Sequence, residues 1–181
     1  MKVFFLRFLF IVTILFFEYS FLDILFPIIT VPVLLLSTVV AWTLVAGFPR
    51  AIIFLLPLTI IFDCVSLGTI SALTLYAVLL SYATGFFSRR LLAERRGLSM
   101  AIYAFFSAIN VLGFMLFVKI FFQKNDISFF LLSEIATAVF SWQFFLSFFL
   151  SFFLFFPAYY SIRMFEEYIK NIVQSEFSRI R

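Results

Sequence analysis

The chain has 181 residues, 65% of them hydrophobic and 12% charged, with a formal net charge of +4. A soluble domain is about half apolar and about a quarter charged. These charges are too few to cover a water-facing surface, so the composition calls for lipid as the solvent. Backbone groups in lipid find no partner outside the chain, which makes an all-α helical bundle the expected architecture. At roughly 20 residues per crossing, the length holds five or six spans in one integral membrane domain.

Several function classes lose their usual chemistry at once. Cys64 is the one cysteine, so neither an internal disulfide nor a thiol metal cluster is expected. Histidine, the commonest general base and metal ligand, does not occur. The 32 phenylalanines read as a lipid-facing bias rather than a ligand site. The positive charge is distributed as membrane orientation requires, which argues against nucleic acid as its partner.

Met1 to Phe17 is nearly all apolar and reads as a first span. A cleaved signal peptide would need small residues at the cut site, and Glu18-Tyr19-Ser20-Phe21 follows instead. Glu18 and Asp23 fall in the first loop. Leu25 to Ala46 is the second span, with Pro27 and Pro32 in its first turns. Early prolines suit a helix start, while Pro32 is deep enough to predict a kink. Trp42 suits a headgroup anchor.

Gly47 to Arg90 is the most informative stretch. A turn, Gly47-Phe48-Pro49-Arg50, opens a third span that runs to about Phe62 and ends at Asp63. Pro57 should kink it. A short connection through Ser66 and Gly68 leads to a fourth span, Thr69 to Phe87, closed by Arg89 and Arg90. Thr74, Ala77, Ser81, Thr84 and Ser88 recur at helical spacing, placing small and hydroxyl side chains on one face. Such a face lets helices approach closely in lipid. Gly97 precedes a fifth span, Ser99 to Phe122, in which Asn110 is expected to make an interhelical hydrogen bond.

Ile127 to Tyr160 is too long for one crossing. It predicts a first piece to about Ala136 and then a sixth span. Ser133, Thr137, Ser141, Ser147 and Ser151 would share a packing face. The remainder, 161–181, reads as a separate amphipathic tail beyond the membrane domain of 1–160. Ile162, Phe165, Ile169, Ile172 and Val173 form its apolar side, and Arg163, Glu166, Glu167 and Lys170 the polar one. The tail either lies on the membrane or docks on a partner.

Six spans place all but Lys119 and Lys124 of the 13 basic residues on one side. That is the arrangement short cytoplasmic loops require, and it predicts both termini inside.

Catalytic constellations are not expected. An aspartyl-type membrane hydrolase needs two acids that share a proton, and only Asp63 is well placed. No acidic cluster suits magnesium, and no glycine run suits ATP. No cofactor or metal is implied. Asp63 has two readings. It caps the following helix with help from Ser66, or it contacts a partner, as an acid at membrane depth often does.

The stretch Phe62-Asp63-Cys64-Val65-Ser66-Leu67-Gly68-Thr69, followed by Leu73 to Tyr82 and preceded by Pro49-Arg50, resembles the bacterial rod-shape-determining protein MreD family. The six-span layout agrees with it. The span before Asp63 departs from the family in having no glycine, and the glycine after it is displaced. The resemblance implies a non-catalytic subunit of the cell-elongation machinery in the bacterial inner membrane, multi-pass and acting in peptidoglycan synthesis. It implies an MreC-like single-span partner and proximity to RodA, its transpeptidase partner and the MreB filament. Asp63, Ser66, Gly68, Arg89 and Arg90 would be the partner-binding residues. The same fold is similar to the capture subunits of energy-coupling-factor vitamin transporters, which supplies the alternative of a small-molecule capture subunit. That alternative requires several polar groups around an outward pocket, and the sequence offers few.

Overall fold

The structure, a computed structural model, describes residues 2–22, 25, 32–65, 72–91, 96–122 and 142–179. Those residues are helical nearly throughout, and no strand occurs among them. The helices are α1 (Lys2–Phe17), α2 (Val33–Ala46), α3 (Phe48–Val65), α4 (Ala72–Leu91), α5 (Arg96–Phe122) and α6 (Trp142–Arg179). A π-helical turn, Glu18–Leu22, continues α1.

α2 is the centre of the molecule. Its sequence is apolar or hydroxylated on every face, and a helix without a polar face must be surrounded. Every side chain from Val33 to Thr43 is buried, and the other five helices pack against it. Leu35, Leu36, Val39, Val40 and Trp42 supply its contribution to a core that also holds Leu55, Leu58, Tyr103, Val111 and Phe155.

The turn between α2 and α3 is a single residue. Gly47 has φ +79°, the left-handed region that disfavours any side chain. Its N–H donates to the Thr43 carbonyl at 3.0 Å, and its own carbonyl accepts from Ala51 N–H at 2.9 Å. No neighbouring atom lies within 4 Å of the position a Cβ would take, so conformation rather than crowding selects glycine here.

Pro32 differs from expectation. Pro32 stands directly before α2 as its N-cap instead of bending it. A helix start tolerates proline because the N–H it lacks would have had no intrahelical partner. α3 runs through Pro57, and α6 through Pro157. α6 thus crosses the expected boundary at Tyr160 without a break and reaches Arg179. Pro27 and residues 123–141, which include the expected short piece to Ala136, lie outside the described residues.

Two helices are long and apolar enough to cross a membrane by length and composition, α5 over Met100–Val118 and α6 over Phe144–Ile172. Phe5–Ile14, Val33–Ala46 and Ala72–Ser88 are shorter apolar helices. Polarity is distributed inside out. Ser37, Thr38, Thr43, Thr59, Ser81, Thr84, Ser107, Ser147 and Ser151 are each at most 1% exposed. Phe5, Phe16, Ile53, Leu79, Tyr82, Phe149 and Phe153 are each more than half exposed.

Candidate functional site

At one end of the bundle, two acids bind the starts of helices that follow them. The Asp63 carboxylate, near the end of α3, accepts from Leu73 N–H at 3.3 Å and Thr74 N–H at 2.9 Å, and from the Thr74 hydroxyl. These donors belong to the first turn of α4, whose leading N–H groups have no intrahelical partner. The helix dipole adds to the attraction of a negative charge at that position. Glu18, in the π-turn after α1, does the same for α2. It is 4% exposed and its Oε2 accepts from Leu35 N–H at 3.1 Å. Each acid joins two helices by completing the backbone of the second.

At the opposite end, an ion pair joins the first and last helices. Arg7 Nη2 lies 2.8 Å from Glu166 Oε2, with the side chains 20% and 8% exposed. Aromatic rings surround it. The Arg7 guanidinium sits 4.4 Å from the centroid of the Phe54 ring, within cation–π range. Phe10 stacks on Phe165 at 4.4 Å and meets Trp42 edge-on at 5.7 Å. Trp42 in turn stacks on Phe54. α1, α2, α3 and α6 therefore converge on this cluster.

Between the two ends lie hydroxyl joints. Ser37 of α2, Ser107 of α5 and Ser151 of α6 form a triangle with oxygen separations of 3.0, 3.2 and 3.3 Å. All three are fully buried. Ser37 donates to the Val33 carbonyl at 2.9 Å, which leaves its oxygen lone pairs to accept from the other two. On the α4–α5 seam, the Tyr76 hydroxyl lies 3.0 Å from the Asn110 carbonyl oxygen and 2.9 Å from Asn110 Oδ1. Gly113, one turn on, gives the ring room. A Cβ there would meet the Tyr76 hydroxyl at 2.5 Å.

Comparison with protein-family models, curated proteins and solved structures gives no match. The chemistry of the site therefore rests on its own geometry.

That geometry assembles helices. Among the described residues, no group of three or more His, Cys, Asp or Glu could hold a metal ion. Asp63 takes the capping arrangement, with Cys64 exposed beside it. Ser66 and Gly68 lie outside the described residues. Arg89 and Arg90 stand in the last turn of α4, at the other end of that helix from Asp63. The five residues singled out from the sequence are thus not one constellation: Asp63 is at one end of α4 and the arginines at the other. Asn110 makes the expected interhelical bond, and Ala77, Ser81 and Thr84 are buried along the packing face of α4.

Sequence reasoning missed both Glu18 and Glu166. Glu166 counts with the polar side of the tail by residue type, yet it lies only about 40° around the helix from Ile162 and so borders the stripe of Ile162, Phe165 and Ile169. Ile162 and Ile169 are buried with it. An acid at the edge of an apolar stripe, and an arginine inside an apolar run at position 7, are the two signals that each require a partner.

Proposed function

We propose that this chain is a non-catalytic scaffold subunit of the bacterial inner membrane, a six-span bundle of the kind its resemblance to MreD implies. It holds the membrane helices of partners in the cell-elongation machinery, an MreC-like single-span protein first among them. One observation carries the reading: the serines and threonines of the bundle's middle are buried, while large apolar side chains line its outward faces. Leu75, Leu79, Tyr82 and Phe86 are exposed along α4 at spacings of four, three and four residues. Ile102, Phe105 and Ile109 do the same on α5. A surface of this kind suits lipid and the apolar sides of neighbouring helices, and Glu18, Asp63, Tyr76, Asn110 and the Ser37–Ser107–Ser151 triangle are engaged in joining helices.

The experiment is purification of the full chain from bacterial membranes, with photo-cross-linking residues at Leu79 or Tyr82 and, as a control, at buried Leu80. Cross-linking from the two outward positions to one single-span, coiled-coil periplasmic protein supports the scaffold. A bound vitamin-type molecule in equal amount to the protein, or turnover of a lipid-linked compound by the purified chain, overturns it. So does recovery in the aqueous fraction without detergent.

A further inference from the structure

The outward face of α6 stays apolar well past Tyr160. Trp142, Phe149, Phe153, Tyr160, Met164 and Tyr168 lie along one side of the helix, and each is more than half exposed. They stand opposite the buried Ser151, Ile162 and Glu166. At ~1.5 Å per residue, the stripe from Trp142 to Tyr168 is about 39 Å long. The hydrocarbon layer of a bilayer is about 30 Å thick, and about 40–45 Å with its headgroup layers. The stripe therefore fits a whole bilayer, headgroup to headgroup, with tryptophan at one end and tyrosine at the other. Those are the rings that settle at lipid–water interfaces. Fitting it within the hydrocarbon alone takes a tilt of about 40°, the upper end of the range such helices show.

Two other helices agree with α6 at this level. The Arg7 guanidinium meets both Glu166 and the Phe54 ring, so these three residues share one height in the bundle. Around that height, Phe5 of α1, Ile53 of α3 and Met164 of α6 are each more than half exposed, and Phe8 is exposed beside them. Glu166 lies six residues past Tyr160, about 9 Å along the axis. A hydrocarbon edge at Tyr160 leaves this apolar collar outside the lipid chains. The nearby charges are arranged to tolerate lipid. Arg7 and Glu166 neutralise each other inside the collar, and Arg163 donates to Glu167, one turn nearer the Arg179 end, at 2.9 Å. Long basic side chains near a membrane boundary send their charge toward the interface in this way. We propose that the collar is a lipid-binding surface and that the hydrocarbon edge lies at the height of the Arg7–Glu166 pair, not at Tyr160. Acyl chains cover Phe5, Phe8, Ile53 and Met164, headgroups meet Trp142 and Tyr168, and the mid-plane falls near Phe155. The inference rests on the membrane reading above and fixes the depth of the chain within the bilayer.

The test uses the full chain, carrying Cys64→Ser, reconstituted in phosphatidylcholine vesicles. Ile53→Cys, Phe149→Cys, Met164→Cys, Tyr168→Cys and Asn171→Cys each receive one nitroxide label in turn. Depth is read from the ratio of collisions with oxygen, which concentrates in lipid, to collisions with a water-soluble nickel chelate. The expected depths are about 14 Å from the mid-plane at Met164, about 20 Å at Tyr168 and about 24 Å at Asn171. Oxygen should therefore dominate at Phe149, Ile53 and Met164, and the nickel chelate at Asn171. An edge at Tyr160 moves Met164 to about 21 Å and Tyr168 to about 27 Å. Nickel dominance at Ile53 and Met164, with Phe149 still in lipid, overturns the proposal. So does a collar that is shielded in native membranes and open to nickel in the vesicles, which assigns it to a protein partner. A chain that never enters the vesicles defeats the membrane reading itself. One that enters with its edge at Tyr160 defeats only this inference.

Discussion

Glu166→Gln is the sharpest test of how the first and last helices are held together. The substitution keeps shape and removes the charge that faces Arg7. Breaking a fully buried pair typically costs about 3–5 kcal/mol, because the remaining charge is stranded out of water. Arg7 is a fifth exposed and also has the Phe54 ring beneath it. Both features let the stranded guanidinium recover some stabilisation, so the expected loss is about 2–3 kcal/mol. Glu167→Gln makes the same chemical change one residue along the same helix, in a pair that is more than half exposed on both sides. Its effect should be a small fraction of the first, since solvent screens such pairs. Replacing both partners, Arg7→Met with Glu166→Leu, should recover most of the loss, because no charge is left without its counterpart. The assay is unfolding of the full chain in lipid bicelles, read as a double-mutant cycle. Equal shifts for Glu166→Gln and Glu167→Gln, or a double variant no better than the single ones, would refute the argument.

The other joints make their own predictions. Gly113→Ala should destabilise by about 1–3 kcal/mol from overpacking against the Tyr76 hydroxyl. Tyr76→Phe should relieve that clash, so the pair of changes unfolds later than Gly113→Ala alone. Asp63→Ala should cost about 1–2 kcal/mol by leaving the first N–H groups of α4 without their acceptor. If it costs nothing in stability and only weakens partner recovery, Asp63 is a contact and not a cap. Ser151→Ala should cost no more than about 1–2 kcal/mol, the range of a single hydroxyl bond between helices in lipid. Ser151→Leu should cost clearly more, because the Ser37–Ser107 joint has no room for the larger side chain. A melting series in one detergent ranks all of these.

How much of this was legible in the sequence depended on the distance between partners. Asp63 could be read as a cap because its donors, Leu73 and Thr74, follow within one short connection. The α4 packing face could be read because helical spacing is a local property, and Ala77, Ser81 and Thr84 are buried accordingly. The Arg7–Glu166 pair spans almost the whole chain, and no local pattern names a partner at that separation. The continuity of α6 was hidden for another reason. Charge enters the sequence after Tyr160, and a change in solvent was read as a change in structure. A helix backbone does not require the two to coincide: its hydrogen bonds are internal on either side of a membrane boundary.

The 38 residues of α6 form one rod about 57 Å long, nearly double the hydrocarbon thickness of roughly 30 Å. It is fastened along much of that length, at Ser147, Ser151, Phe155, Ile162, Glu166 and Ile169, all buried. The same continuous helix therefore carries both the hydroxyl joint with Ser37 and Ser107 and the ion pair with Arg7. A substitution that shortened or broke it between Ser151 and Glu166 would loosen two joints at once, one in the interior and one at the Arg7 end.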